Sequence, residues 1–364
     1  MTSMDSPVNA PTHGGPAILA IESSCDETAA AVLTGTSELR SSIVHSQIDM
    51  HAAYGGVVPE LASRAHIMAI APVVQEALAA AQMSIDDVQG IAVTAGPGLA
   101  GSLLVGLEFA KSLAFTRNVP LVGVNHLEGH VMAACLATIH GTLPMQWPAM
   151  ALVVSGGHTS LYLTRERGHF EQVGRTLDDA AGEAFDKVSK HLGLGYPGGA
   201  VIDRLAEQGD PSAIPLSDGM LKRAGYDFSF SGMKTSVLYW LRDHGPIAGQ
   251  QVHDLAASFQ ARVVEVLSRK LVRAAADHGV AHVVICGGVA CNRALRARIQ
   301  ALACEAGMTV SIPPSSLCTD NAAMIGAAGY AQLYERIQQK AGFQGGSLDA
   351  VTSWLPGTPL RTDG

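Results

Sequence analysis

Apolar and polar positions follow one another in a pattern that predicts two β-hairpins, one at the start of each half of the chain. Residues 18–21 form an apolar run, residues 22–28 are mostly polar, and a second apolar segment occupies 29–33. The same order recurs at 150–163, where a polar turn separates two apolar runs. Short apolar runs divided by a polar turn are typical of paired antiparallel strands. Each half is therefore expected to open with a hairpin.

Later strand–helix units also recur, at a spacing of about 190 residues. A strand at 91–94, a glycine loop, a helix, a strand at 120–124 and a helix starting near His126 follow the first hairpin. A strand at 282–285, a glycine loop, a helix, a strand at 309–312 and a helix starting near Thr319 repeat that order. The two hairpins are only about 130 residues apart, which predicts an insertion of roughly 60 residues in the second half.

This repeat predicts the fold class, a duplicated α/β chain of the actin-like and sugar-kinase-like (ribonuclease-H-like) type. The ligand of such a fold lies in a cleft between the two halves. The expected organisation is a disordered N-terminal extension, two domains and a tail, at 1–16, 17–148, 149–340 (with the insertion near 182–253) and 341–364. Two unrelated α/β domains are the alternative.

Composition narrows the class of protein. The chain has 364 residues, of which 48% are hydrophobic and 39 are glycine, as expected of a tightly packed enzyme rather than a disordered chain. A net charge of −8 argues against a protein that holds nucleic acid by its overall field. Six cysteines without a C-x-x-C pair, and a polar N-terminus without Lys or Arg, predict a cytoplasmic location and no secretion signal.

One long apolar stretch raises the question of a membrane span. Residues 91–107 are uncharged, but they contain Gly96, Pro97, Gly98, Gly101 and Gly106. A strand, a glycine loop and a buried helix explain this stretch better than a membrane-spanning helix does. No contact with a membrane is expected.

The helix that starts near His126 carries a candidate metal site. His126 and His130 are four residues apart, so that both imidazoles lie on one helix face. By the repeat, Asp320 occupies the equivalent position in the second half and should meet them across the cleft. Two imidazoles and one carboxylate suit Fe(II) or Zn(II). The alternatives are a packing role for the histidines and a helix N-cap role for Asp320.

Two other enzyme classes fit less well. A zinc peptidase needs a glutamate directly after the first histidine, whereas Glu128 follows His126 by two residues and points about 200° around the helix. The segment 96–101 matches G-x-G-x-x-G, but the strand after it ends in Asn125 and His126 rather than in the acid of a dinucleotide site. Close helix packing explains those glycines equally well.

Three glycine-rich loops of the second half favour a bound nucleotide, because glycine lets backbone N–H groups approach phosphate or ribose. They are Ser155-Gly156-Gly157, Gly198-Gly199 and Gly287-Gly288. Asn292, at the start of the next helix, is placed either to bind a base or ribose or to cap that helix.

Taken together, the motifs resemble the bacterial tRNA N(6)-adenosine threonylcarbamoyltransferase family, once labelled a sialoglycoprotease. The resemblance covers roughly residues 17–335. The segments that carry it are Ile21-Glu22-Ser23-Ser24-Cys25-Asp26-Glu27-Thr28, Tyr54-Gly55-Gly56-Val57-Val58-Pro59-Glu60-Leu61-Ala62-Ser63-Arg64, Thr94-Ala95-Gly96-Pro97-Gly98-Leu99, His126-Leu127-Glu128-Gly129-His130, Val153-Val154-Ser155-Gly156-Gly157-His158-Thr159, Leu177-Asp178-Asp179-Ala180-Ala181-Gly182-Glu183-Ala184-Phe185-Asp186-Lys187, Tyr196-Pro197-Gly198-Gly199, Asp227-Phe228-Ser229-Phe230-Ser231-Gly232-Met233-Lys234-Thr235, Gly287-Gly288-Val289-Ala290-Cys291-Asn292 and Cys318-Thr319-Asp320-Asn321.

The resemblance implies a reaction and a set of ligands. Its members transfer the threonylcarbamoyl group from threonylcarbamoyl-AMP to the adenosine beside the anticodon of tRNA, with one divalent metal per subunit, Fe(II) in preference to Zn(II). They work with a smaller inactive paralogue of the same fold and a small P-loop ATPase. The implied metal ligands are His126, His130 and Asp320, and the implied substrate contacts are Val153, Val154, Ser155, Gly156, Gly157, Asp186, Gly199, Asp203 and Asn292.

Proton transfer in that reaction needs a base near the incoming amine. Asp26 or Glu27, in the turn of the first hairpin, is the predicted catalytic residue, and turn chemistry is the alternative for Asp26. Candidate tRNA contacts are local, such as Arg293, Arg296 and Arg298 on one helix. An actin-fold ATPase or kinase, or a non-catalytic subunit of a tRNA-modifying complex, remains an alternative function.

Overall fold

The computed structural model of the protein describes residues 15–35, 38–140 and 143–360, without the side chains of 137–140. The predicted N-terminal extension at 1–16 lies almost wholly outside these ranges, as do the last four residues of the predicted tail.

The first half contains five strands and four α-helices in the described residues. In chain order they are β1 (Ile18–Glu22), β2 (Glu27–Leu33), β3 (Leu39–Ser46), α1 (Ile48–Ala52), α2 (Pro59–Ala80), β4 (Gly90–Gly96), α3 (Ala100–Arg117), β5 (Leu121–Asn125) and α4 (His126–Met132). Short 3-10 helices lie at Ile85–Asp87 and Ala133–His140.

The second half repeats this order with additional helices. Its described elements are β6 (Ala149–Val154), β7 (Thr159–Thr164), β8 (Glu171–Arg175), α5 (Ala181–His191), α6 (Gly198–Ala206), α7 (Ser231–His244), α8 (Gln250–Asp277), β9 (His282–Cys286), a 3-10 helix (Gly288–Cys291), α9 (Arg293–Glu305), β10 (Thr309–Ser311), α10 (Ser315–Cys318) and α11 (Ala322–Gln338). Four helices therefore separate β8 from β9, where the first half has α1 and α2 between β3 and β4.

The two sheets have the same topology. The first has the strand order β3-β2-β1-β4-β5 and the second, read in the same direction, β8-β7-β6-β9-β10. In both, an antiparallel hairpin is followed by two parallel strands: β1 pairs with β2 and β4, and β6 pairs with β7 and β9. Both predicted hairpins are confirmed, and the equal strand order supports the predicted duplication.

Two helices fill the space between the sheets. α11 belongs to the second half but packs against β1, β2, β4 and β5 of the first sheet. Gly326 makes this approach possible, since a Cβ there would lie 2.3 Å from Leu33 Cδ1. α4 contacts α11 and also β6 and β9. The starts of α4 and α11 therefore lie beside each other between the halves.

The outer faces of the sheets are covered separately. α2 and α3 pack on the first sheet, and α5, α8 and α9 belong to the core of the second half. After α11 the chain returns to the first sheet, where Val351 N–H donates to Ala95 O at 2.8 Å and Leu348 is buried. Among the described helices, none has the length and apolarity that crossing a membrane requires.

Candidate metal centre and substrate cleft

Two histidines of α4 face one buried position. His126 is the first residue of the helix, and His130, one turn later, is fully buried. Their ring centroids are 4.7 Å apart. Asn125 caps the helix by accepting a hydrogen bond from the backbone N–H of Leu127 at 2.9 Å, so that α4 begins directly after β5. The predicted placement of both imidazoles on one face is what the structure has.

Asp320 brings a carboxylate from the second half to the same point. Its Oδ1 lies 3.2 Å from His130 Nε2 and 3.5 Å from His126 Nε2. One ligand atom from each of the three residues lies within 4.8 Å of the others. The N-cap interpretation of Asp320 is wrong, because Asn321 caps α11 and accepts a hydrogen bond from Met324 N–H at 3.0 Å.

Glu22, at the end of β1, contacts the side of the His126 ring that faces away from Asp320. Its Oε2 is 3.0 Å from His126 Nδ1 and accepts a hydrogen bond from Thr94 Oγ1 at 2.6 Å, while Oε1 accepts from Ser24 N–H at 2.5 Å. A histidine that donates its Nδ1 proton to a carboxylate keeps Nε2 free as a ligand, the usual second partner of a metal-bound histidine. The sequence predicts Glu22 only as part of the hairpin turn. The sequence feature that could have identified it is a glutamate at the end of an otherwise apolar strand.

His126, His130 and Asp320 fit a metal ion both in their atom types and in their lack of other partners. Among the described residues, both ring nitrogens of His130 are buried without a hydrogen-bond partner, and Nε2 lies 3.2 Å from Asp320 Oδ1. A buried polar atom without a partner costs about 1–3 kcal/mol, so native proteins rarely leave one unexplained. Two imidazole nitrogens and one carboxylate oxygen around a point fit Fe(II) or Zn(II) with an open coordination position.

Charges in this cluster are strongly coupled. Burial opposes protonation of His126, but the carboxylates of Asp320 and Glu22 outweigh it and raise its pKa to about 9. Burial likewise opposes ionisation of Asp320, and the two histidines nevertheless hold the pKa of that carboxyl far below its usual value. Positive charge at this point is therefore favoured, whether it is a proton or a cation.

The turn between β1 and β2 carries the two predicted catalytic carboxyls. Asp26 is 8% exposed and Glu27 is half-buried, with Ser46 Oγ donating to Glu27 Oε1 at 3.2 Å. Burial, followed by the charges of Asp320 and Asp26, raises the pKa of Glu27 to about 10. Glu27 is therefore protonated at neutral pH in the protein alone, which favours Asp26 among the two predicted bases.

The turn between β6 and β7 contains the first glycine loop. Ser155 N–H donates to His158 O at 2.8 Å, and α5 begins against this turn, with Gly182 N–H donating to Ser155 O at 3.2 Å. Added Cβ atoms at Gly156 and Gly157 would meet nothing within 4 Å. The two glycines therefore face open space, as a ligand-binding turn requires, and are not needed for packing. Val153 and Val154 are fully buried in β6, which leaves only their backbone for contacts.

Residues of the two halves meet across the cleft. Burial, aided by the charges of His126 and His130, lowers the pKa of His158 to about 4 and keeps its imidazole neutral. Burial and then the charges of Asp26 and Asp186 raise the pKa of the Tyr196 phenol. In the sequence His158 and Tyr196 stand out only as members of motifs, and their proximity to charged groups of the first half is visible only in the structure.

Four further predicted substrate contacts lie on α5, α6 and α9. Asp186 Oδ1 accepts a hydrogen bond from Gly198 N–H at 2.7 Å, at the start of α6 beside Gly199. Asn292 caps α9, with Oδ1 accepting from Leu295 N–H at 2.9 Å, and its Nδ2 donates to Gln260 Oε1 at 2.7 Å. The cap alternative for Asn292 is thus realised.

Asp203 and its neighbours line a cavity of about 430 Å³ between α6, α8 and α9. Its carboxylate accepts a hydrogen bond from Arg293 Nε at 2.8 Å, and Arg293 also pairs with Glu207. Arg298 is 2.8 Å from Glu265 Oε2. These two arginines are engaged in ion pairs within the protein, which argues against their predicted role as tRNA contacts.

The glycine loop at 96–101 has a packing explanation. A Cβ at Gly98 would lie 2.6 Å from Ser24 O, and one at Gly101 would lie 2.4 Å from Ser63 Oγ. Gly96 has φ +153 and approaches Val351 O so closely that a Cβ would lie 1.9 Å from it. The loop therefore serves close contact with the first hairpin turn, α2 and the C-terminal segment, and the dinucleotide interpretation has no support here.

Comparison with known proteins identifies relatives and fold neighbours. A sequence model of the tRNA N6-adenosine threonylcarbamoyltransferase family matches residues 38–327. The tRNA N6-adenosine threonylcarbamoyltransferase of Syntrophotalea carbinolica is 54% identical over 317 residues, covering 87% of this chain and 91% of that relative. That of Geobacter sp. (strain M21) is 52% identical over 337 residues, covering 93% and 96%.

Two solved structures resemble the fold at low identity. HypF of T. kodakarensis aligns with a TM-score of 0.61 and 14% identity, over 89% of this chain and 48% of that one. Component A of the (R)-2-hydroxyglutaryl-CoA dehydratase of Acidaminococcus fermentans aligns with a TM-score of 0.52 and 17% identity, over 89% and 100%. The predicted two-domain actin-like fold is confirmed. The chain itself, a transferase, belongs to the tRNA N6-adenosine threonylcarbamoyltransferase family.

Proposed function

We propose that the protein transfers the threonylcarbamoyl group of threonylcarbamoyl-AMP to the exocyclic amine of the adenosine 3′ of the anticodon. The tRNAs are those that read codons starting with A, and AMP is released. The observation that carries this proposal is that the cluster of His126, His130 and Asp320 lies near the open glycine turn of β6–β7, since its charges act on His158 of that turn and α4 contacts β6. A metal site and a backbone-lined turn for an anion are the two parts that an acyl-adenylate substrate needs.

The three ligands define what a metal would do there. When bound, a divalent ion, Fe(II) in preference to Zn(II), supplies Lewis-acid stabilisation of the substrate's carboxylate and carbamoyl oxygens. Glu22 fixes the ring of His126 and the proton at Nδ1, and α4 fixes the separation of the two imidazoles. His130 is fully buried, so its imidazole is shielded from water.

The adenylate portion has its own set of contacts. In this proposal the backbone N–H groups of Gly156 and Gly157 hold the phosphate, because no described side chain blocks the turn there. Ser155 contributes by shaping the turn, since its N–H donates to His158 O. The start of α5 behind that turn adds the favourable end of a helix dipole. The remaining adenylate contacts in this proposal are the backbone of Val153 and Val154 and the residues Asp186, Gly199, Asp203 and Asn292.

Asp203 is not free in the absence of substrate, since Arg293 occupies its carboxylate. Binding of a ribose hydroxyl to Asp203 requires that the exposed Arg293 side chain either moves or shares the carboxylate. Asn292 keeps its capping bond while its amide group faces Gln260. The 430 Å³ cavity is lined by Asp203 and by Gln260, the hydrogen-bond partner of Asn292.

Proton transfer is assigned to Asp26. The amine nitrogen attacks the carbamoyl carbon, the bond from that carbon to the phosphate oxygen breaks, and AMP leaves with that oxygen. The proton of the amine passes to the Asp26 carboxylate. Glu27, which is protonated in the protein alone, serves instead as a hydrogen-bond donor.

The charge of the chain favours a partner that helps to bind tRNA. A chain of net charge −8, with Arg293 and Arg298 already paired, provides little field for tRNA. The partners in this proposal, all in the cytoplasm, are those that the family resemblance implies, a smaller inactive paralogue of the same fold and a small P-loop ATPase. Such partners would explain how an acidic subunit acts on a polyanion.

The test is nucleoside mass spectrometry of tRNA from cells depleted of the protein and complemented with variants. Wild-type chain should restore threonylcarbamoyladenosine, whereas His126→Ala His130→Ala should not. Restoration by the double variant would refute the metal role and favour a non-catalytic subunit. Purified chain that hydrolyses ATP with Mg²⁺ and binds neither iron nor zinc would instead favour the ATPase or kinase alternative.

A further inference from the structure

A buried hydrogen-bond network joins α2 to the turn that carries Asp26. His66 lies on α2 and is fully buried, and its Nε2 is 3.0 Å from the backbone oxygen of Cys25. A carbonyl oxygen can only accept, so the proton of a neutral His66 ring must be on Nε2. Nδ1 is then an acceptor, and Thr28 Oγ1 donates to it at 2.7 Å. The contacts of His66 therefore specify a single tautomer.

Gln47 contacts both the same turn and His66. Gln47, the residue before α1, is buried, and its backbone N–H donates to Asp26 O at 3.0 Å. Its Nε2 donates to His66 Nδ1 at 3.4 Å. The peptide group before Asp26 is thus held through Cys25 O, and the peptide group after Asp26 is held through Asp26 O. Because peptide groups are planar, holding both of them fixes the backbone dihedral angles of Asp26.

The network also reaches the glycine segment before α2. His51 is fully buried, its Nε2 is 3.3 Å from Gln47 Oε1, and Val58 N–H donates to its Nδ1 at 3.3 Å. Since Nδ1 of His51 accepts, Nε2 carries its proton as well. Tyr54-Gly55-Gly56 lies between His51 and Val58 in the chain. Two sequence motifs, the first hairpin turn and the segment at 54–64, are therefore connected by side chains that the proposed reaction does not use.

We propose that His66 is a positioning residue for transfer, which holds the turn of Asp26 through its Nε2–H tautomer. This role rests on the proposed function, because His66 acts through Asp26 and does not exchange a proton with the substrate. Burial and the charge of His45 lower the pKa of His66, and they outweigh the hydrogen bond to Cys25 O and the charges of Glu22 and Asp26. The ring is therefore neutral at pH 7, as the hydrogen bonds require.

Two amide variants separate the hydrogen bond from the bulk of the side chain. His66→Gln places an N–H₂ donor near the position of Nε2 and an acceptor toward Thr28, whereas the shorter amide of His66→Asn does not reach Cys25 O. A displacement of about 1 Å at a reacting group costs roughly 100-fold in rate. His66→Asn should therefore slow single-turnover transfer by about 10- to 100-fold, with little change in KM for threonylcarbamoyl-AMP. His66→Gln should recover most of that rate.

The first arm of the test identifies the tautomer and needs no activity. Full-length protein labelled with nitrogen-15 in histidine is measured at pH 7 by long-range proton–nitrogen correlation, and the signals of His66 are assigned by their absence from His66→Gln. A protonated Nε2 and an unprotonated Nδ1 are expected. A proton on Nδ1, alone or together with one on Nε2, would overturn the proposal. This result does not depend on the proposed function.

The second arm measures transfer and Zn(II) affinity for each variant, with the partners present in the transfer assay. Slow transfer by His66→Asn, rescue by His66→Gln and unchanged Zn(II) affinity in both support the positioning role. Ser102→Ala is the matched control, because Ser102 Oγ donates to the same Cys25 O at the longer distance of 3.3 Å, and its effect should be small.

Three results would count against the positioning role. They are wild-type transfer by His66→Asn, equal loss in His66→Asn and His66→Gln, and a parallel loss of Zn(II) affinity. His66→Leu replaces His66→Asn in the comparison if circular dichroism shows that the latter does not fold. If the wild-type protein transfers nothing with its partners present, the proposed function has failed, and the tautomer found in the first arm is unaffected.

Discussion

Replacing Glu22 by glutamine tests how the metal centre is built. Glu22 is fully buried, and its Oε2 lies 3.0 Å from His126 Nδ1. An amide of the same shape places either an N–H₂ donor or a neutral oxygen at that position. With the donor there, Nδ1 must accept, so the ring proton moves to Nε2 and removes the nitrogen that faces Asp320. Glu22→Gln therefore changes a tautomer without changing volume.

The size of the effect follows from the bond that is lost. A hydrogen bond to a charged group contributes about 1.5–3 kcal/mol, and each 1.4 kcal/mol is tenfold in affinity. Metal affinity should fall roughly 10- to 100-fold, the range found for partners of metal-bound histidines. Thr94→Val is the matched control, because it removes the hydroxyl that donates to Oε2 at 2.6 Å and keeps the carboxylate. Its effect should stay below about fivefold.

Competition with a chromophoric chelator measures the Kd for Zn(II) directly, without any activity assay. Circular dichroism and the thermal midpoint of each variant control for folding. If Glu22→Gln binds zinc within twofold of the wild type while folded, the carboxylate does not set the tautomer of His126. A Thr94→Val effect as large as that of Glu22→Gln would show that packing around β4, rather than the carboxylate, is responsible.

Three further changes have expected outcomes. Asp26→Asn should keep metal and adenylate binding but slow single-turnover transfer by about 10²–10⁴, whereas Glu27→Gln, which mimics the protonated carboxyl, should cost far less; equal effects would contradict the assignment of Asp26. Burial lowers the pKa of Lys270 to about 8, so the charged side chain destabilises the folded state at pH 7. This destabilisation disappears as the pH rises from about 8 toward 10.5, where the amine loses its proton in both states. Lys270→Met should therefore raise the urea midpoint at pH 7 more than at pH 10.5. The isolated chain should bind tRNA weakly at physiological salt, with a shallow salt dependence, and tight binding in a filter assay would contradict the need for a basic partner.

Much of the fold could be predicted because the repeat is visible in the apolar pattern. The hairpins, the parallel strands and the glycine loops recur in the same order, and both sheets have that order. The position of α11 could not be predicted this way. Small and apolar residues surround its first turns, from Ala322 to Tyr330, so the pattern there does not say which sheet it covers. The close approach allowed by Gly326 and Gly329 is a property of three-dimensional packing.

The candidate site also has residues that the sequence pattern predicts and residues that only the three-dimensional packing reveals. His126, His130 and Asp320 could be predicted because helix spacing and the repeat both constrain them. Glu22 could not, since a glutamate at a strand end is indistinguishable from a turn residue until the next strand and α4 are placed around it. The pairing of Arg293 with Asp203 could not be predicted either, because the two residues are 90 positions apart in the chain.

The three metal-binding residues come from both halves of the duplicated fold. α4 supplies both imidazoles and the segment after α10 supplies the carboxylate, and the two segments occupy equivalent places in the two halves. Neither half alone supplies all three ligand residues to that point. A ligand bound by all three residues stabilises only the conformation in which α4 and α11 are docked, by about 2.7 kcal/mol at one hundred times its Kd. Because the hairpin turns with Asp26 and Ser155 flank those same helices, metal occupancy and the shape of the substrate cleft must be linked.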